Sequence, residues 1–164
     1  MSAKSELLTK RVQTAYKQLS VAATALNSAS DELGETISAL DAALKKLALG
    51  IPTWHRIGGG EDEDYNYWDR YIGYAKIGTK WGVALSTVSG NRQYPEHEND
   101  ESWLFNDAPR SFRIEAVDKI PDLLEALIAK VAETTKTIQT KTTEAKELAE
   151  AITGVAKSAA PERK

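Results

Sequence analysis

Gly73-Tyr-Ala-Lys-Ile-Gly78-Thr79-Lys80 places two glycines five positions apart and ends in a hydroxyl and an ammonium. A loop that cradles nucleotide phosphates has the same glycine spacing, but it ends Gly-Lys-Thr or Gly-Lys-Ser. Such a loop also needs a strand before it and a helix after it, so that backbone N–H groups and the helix dipole converge on the anion. Here Tyr74–Ile77 and Trp81–Leu85 both carry strand-type residues, and no helical pattern follows Lys80. Gly78-Thr79 instead suits the centre of a type II′ hairpin turn, whose first position needs positive φ. That turn fixes a register: Ile77 opposite Lys80, Lys76 opposite Trp81, Tyr74 opposite Val83 and Ile72 opposite Leu85.

The remaining groups capable of chemistry are scattered. His55 and His97 are the only histidines. His55 beside Asp69 or Glu61, or His97 beside its acidic neighbours, could serve as a general acid or base. Ser86 and Ser89 lack the Gly-x-Ser-x-Gly turn of an activated serine. Two acidic runs, Glu61–Asp64 and Glu96–Glu101, hold oxygen ligands of the kind that bind divalent cations. Four adjacent acids converge on one ion only across a sharply turned backbone, and the spacing of a calcium loop is absent. The sequence therefore assigns no catalytic, cofactor-binding or metal-ligating residue, and leaves open whether the acidic loops 61–64 and 96–101 bind a metal.

Aromatic residues are the stronger signal. All four Trp, both Phe and five of the six Tyr lie between Ile51 and Phe112. Tyr65, Tyr67, Trp68, Arg70, Tyr94 and Trp103 fall in or beside expected loops, off the alternating core face. Trp, Tyr and Arg concentrate binding energy at protein interfaces, so these six are the candidate partner-binding residues. The acidic runs beside them favour a basic partner surface.

Long helices must position this module. Val12, Leu19, Leu26, Leu33, Leu40 and Leu47 recur every seven residues, with Ala15, Ala22, Ala29, Thr36 and Ala43 three places on. Leu124, Val131, Ile138, Ala145 and Ile152 repeat the interval, followed by Leu127, Thr134, Lys141, Leu148 and Val155. Both are a/d seams of coiled-coil type. An antiparallel hairpin pairs them with facing numbers that sum to about 167, setting Leu40 against Leu127 and Leu19 against Leu148. A pair of such hairpins suits a homodimer through the long helices. The expected organisation is an N-terminal helix over 1–50, an aromatic β module over 51–118, a C-terminal helix over 119–158 pairing with the first, and a disordered tail over 159–164. The module's strands are expected at 54–57, 68–77, 80–88 and 111–117, the last readable also as helix. The fold class is α+β: two long antiparallel, coiled-coil-like helices flanking a central, mainly antiparallel four-stranded sheet.

The totals narrow the function. The net charge is −3 with mixed signs, which disfavours non-specific nucleic-acid binding. The absence of cysteine removes disulfides and thiolate chemistry and fits a reducing compartment. No apolar run reaches the roughly 20 residues of a membrane span, and the charged N-terminal segment shows no secretory leader. A cytoplasmic protein without membrane contact is expected. The expected function is a non-enzymatic protein-interaction module, regulatory, inhibitor-like or immunity-like, in which a helical stalk presents an aromatic sheet surface to a protein partner. One alternative is single-stranded nucleic-acid binding through stacked sheet aromatics, which the module's excess of acids opposes. A small enzyme without a recognisable motif is the other.

Overall fold

The computed structural model describes residues 2–159. Helix α1 spans Ala3–Lys46, strands β1 to β4 span Thr53–Glu61, Asn66–Ile77, Lys80–Asn91 and Tyr94–Leu104, helix α2 spans Arg110–Val117 and helix α3 spans Ile120–Ser158. The strands form one antiparallel meander in the order β1-β2-β3-β4. Residues 160–164 of the expected tail lie outside the described residues.

The β2–β3 hairpin has the register that its turn dictates. Ile77 pairs with Lys80, Tyr74 with Val83 and Ile72 with Leu85. Gly78 carries φ of +62° and Thr79 does not go positive, which is the II′ pattern. A strand follows where a phosphate loop would need a helix. One sheet face therefore carries Ile72, Tyr74, Val83 and Leu85, all buried. Ile37 and Leu44 from α1, Phe112 and Ala116 from α2, and Leu123 and Leu127 from α3 cover that face in a single core. On the opposite face, the space a Cβ would need at Gly73 is taken by the Trp54 indole.

The expected fourth strand is not at 111–117. Those residues form α2, because Phe112 and Ala116, four apart, turn inward together on one helical face. The fourth strand is Tyr94–Leu104, which the sequence presents as an acidic loop. It forms the sheet edge and is exposed along nearly its whole length, so neither face needs apolar residues and the usual alternation is missing. Pro95 sits near its start, a position an edge strand tolerates. The stretch 58–67 between the first two expected strands shrinks to a short turn, since Gly58–Glu61 pair with β2 and Asn66 pairs with Asn91 of β3.

Both long helices are continuous. α1 passes through Asn27, Ser28 and Ser30 without a break. In α3 the hydroxyls of Thr135, Thr142 and Thr143 donate to the carbonyls four residues back, which absorbs groups that would otherwise compete with the helix. The two seams, however, do not close on each other along their length within the chain. Near the sheet Leu40, Leu124 and Leu127 join the common core, because the large sheet face competes for them. Farther out the seam residues stand in water, Leu19 at 64% exposure and Leu148 at 66%.

α1 also closes a gap in the sheet. β4 pairs with β3 only from Ala84 onward. The Val83 N–H at the uncovered edge donates instead to Asp41 Oδ1 of α1 at 2.7 Å. Burial raises the Asp41 pKa, opposed by this hydrogen bond and by Lys45. A carboxyl whose folded pKa lies above its unfolded value supports the fold fully below the unfolded value, about 3.9, and loses that support as pH rises through the folded value. Asp41→Ala is expected to cost about 1–3 kcal/mol in urea denaturation by orphaning the Val83 N–H. Asp41→Asn, which keeps the acceptor without the charge, is expected to cost less than Asp41→Ala and to remove the decline in stability just above pH 4.

Candidate functional site at the turn end of the sheet

The β1–β2 and β3–β4 turns lie at the same end of the meander, and side chains stitch them together. Asp62 accepts from the backbone N–H of Asp64 at 3.0 Å and of Asn66 at 2.9 Å, and from Asn66 Nδ2 at 3.0 Å. These bonds, led by those from Asn66, hold the Asp62 carboxyl below its ordinary pKa. Asn91 Nδ2 donates across to the Asp64 carbonyl and to Asn66 Oδ1, each at 2.9 Å. The Arg92 N–H donates to the Tyr65 carbonyl at 3.0 Å. Tyr65 itself is held at φ of +65°, a conformation that costs a non-glycine residue roughly 1–2 kcal/mol.

A shallow groove of about 600 Å³ opens beside these turns, lined by Tyr67, Trp68, Tyr94, His97 and the asparagines Asn66, Asn91 and Asn99. Trp68 is 48% exposed and lies across Gly60, where a Cβ would meet its ring at 2.6 Å. Tyr94 is 52% exposed and stacks on His97 with ring centres 5.7 Å apart. The Tyr67 hydroxyl donates to Glu98, and this bond is the main cause of its raised pKa. Arg92 caps the Tyr67 ring at 4.6 Å and binds Glu61 at 3.1 Å.

The six sequence candidates thus divide. Tyr67, Trp68 and Tyr94 line the groove, and Tyr65 stands exposed on the adjoining turn. Arg70 and Trp103 turn toward α2. Arg70 pairs with Glu115 at 2.5 Å and lies 5.3 Å from the Phe112 ring centre. Trp103 meets Phe112 edge-on at 6.3 Å. His97, read in the sequence only as a possible acid or base, and Asn99 were not recognised as groove residues because β4 reads as a loop, and Asn66 and Asn91 at the ends of β2 and β3 were missed as well. The one available signal was Asn-rich flanks beside exposed Tyr, which is weak.

Other candidate chemistry stays dispersed. His55 Nε2 lies 3.8 Å from Asp122 of α3, a contact that joins helix to sheet. Among the described residues no three His, Asp or Glu side chains form a group that could hold a metal ion, and no helix is long and apolar enough to cross a membrane. The chain matches no family model, no curated protein and no solved structure.

Trp103→Ala is expected to lower stability by about 2–4 kcal/mol, because it removes a wall of the α2 contact. Trp68→Ala and Tyr94→Ala should each stay within about 1 kcal/mol of the parent, as surface changes do. Parallel urea titrations of the three variants measure the contrast.

Proposed function

We propose that this chain is a protein-interaction module whose aromatic groove takes a basic polypeptide segment from a partner. The observation that carries this reading is the set Tyr65, Trp68 and Tyr94, exposed on or beside turns fixed by cross-turn hydrogen bonds. Aromatic side chains already held in place lose little entropy on binding, and that is how a small patch reaches useful affinity. The left-handed backbone at Tyr65 adds support. Glycine would relieve that conformation, so an aromatic retained there points to a use for its side chain.

Charge selects the kind of partner. Glu63, Asp64, Glu96 and Asp100 stand exposed around the turns, and their field favours lysine- and arginine-bearing segments. The same carboxylates repel phosphates, which weighs against single-stranded nucleic acid on the stacking surface. The heptad seams are read as coiled-coil surfaces of two arms that carry the groove. A regulatory, inhibitor-like or immunity-like role fits this arrangement.

Random peptides displayed against the immobilised chain are expected to enrich Lys- and Arg-rich sequences. Their dissociation constant should rise at least tenfold in the Trp68→Ala/Tyr94→Ala variant and should rise with salt. Enrichment of sequences without basic residues, or unchanged binding to the variant, defeats the reading. Salt-dependent binding of a single-stranded oligonucleotide in place of peptides favours the alternative.

A further inference from the structure

The arms leave the body at opposite ends of the buried part of α1. Coming from its N-terminus, α1 first touches the body at Asn27, whose Oδ1 accepts from Arg110 at 3.1 Å. Next come Gly34 and Ser38, which accept from Asn106, and then Asp41 on Val83. At its far end Leu44 and Leu47 share an apolar groove with Leu124, Leu127 and Val131 of α3. α3 starts beside β1, where Asp122 meets His55, runs past that groove and continues outward. Both helices therefore head toward the same end, and the free arm of each emerges where the other has none. From residue 135 onward α3 is exposed throughout, and before Asn27 so is α1 except at Ser5 and Ala23.

Helices of about 22 residues with apolar seams gain most of their stability from packing on a partner. We infer that the partner is a second copy of this chain, related by a twofold axis that lays each α1 arm antiparallel along the α3 arm of the other copy. The free stretches match in length and register. When Leu19 faces Leu148, Val12 faces Val155, Ala15 faces Ile152, Ala22 faces Ala145 and Ala29 faces Ile138, with a small residue meeting a large one at two of these layers. All of these residues are exposed in the single chain. At roughly 60–120 Å² per large aliphatic side chain, the two symmetric arm pairs remove on the order of 1,000 Å² from water, where stable interfaces begin.

Charge selects this pairing over α1 with α1. The α1 arm holds Lys4, Lys10, Arg11 and Lys17 against Glu6 alone, so two such arms repel. In the α3 arm Lys136, Lys141, Lys146 and Lys157 stand against Glu144, Glu147 and Glu150, a net charge of only +1, so an α1 arm is repelled less by it than by a second α1 arm. One layer is poor: Leu26 faces Lys141.

The test is mass in solution combined with cysteine placement, since the chain has no cysteine of its own. Light scattering is expected to give twice 18.0 kDa. A mixture of L19C and L148C chains should form the mixed disulfide faster than either self-disulfide. Leu19→Lys should weaken the dimer at least tenfold, with the near-ultraviolet signal of the sheet tryptophans unchanged. Lys141→Leu should tighten it about tenfold, a gain that damaged folding does not produce. A mass of 18.0 kDa at 100 µM, a dominant L19C self-disulfide, an intrachain disulfide in the L19C/L148C chain, or no gain from Lys141→Leu would each overturn the proposal.

Discussion

The body of this protein depends on one sheet face that cannot stay wet. Ile72, Tyr74, Val83 and Leu85 project from two adjacent strands to the same side, and all four are buried. Burial of side chains of this size contributes roughly 1.5–3 kcal/mol each, so whatever covers them is held firmly. Three helices meet that demand with short segments: Ile37 to Leu44 of α1, the inner face of α2, and Leu123 to Leu127 of α3. The rest of both long helices is left over. The same constraint that builds the core thus explains why the seams do not zip within the chain.

The parts of the fold legible in the sequence were those where a local rule acts alone. Gly78 requires a turn, and the turn sets the β2–β3 register without further help. The seven-residue ladders announce two long helices, and their extent follows closely. The illegible parts were those decided by neighbours. β4 has no apolar alternation because it is an edge strand in solvent, and its pairing with β3 is a backbone matter. Ser111–Val117 alternates like a strand, yet Phe112 and Ala116 find the sheet face by helical spacing. Where α1 and α3 would pack was open too, since a heptad seam does not say whether it meets another helix or a sheet.

The candidate site was legible in composition but not in geometry. Exposed Tyr and Trp beside acidic turns stand out in the sequence. That Arg70 and Trp103 belong to the α2 contact, and Trp68 and Tyr94 to an open groove, depends on which strand lies next to which. The acidic run Glu61–Asp64 reads as a solvated loop. In place, Asp62 organises the turn, and an amide of Asn91 on another strand completes it. Carboxylates on this surface therefore divide into one that shapes backbone and several that set the field.

The polar edge strand has a consequence for how the protein behaves in bulk. An unpaired strand margin is a template for adding further strands from other molecules, and natural sheets guard it with charge or proline. β4 carries both: Pro95 near its start, then Glu96, Glu98, Asp100 and Glu101 along its length. The guard is largely ionic, so dissolved salt screens it. At high ionic strength Pro95 is therefore the main remaining guard against strand addition along β4.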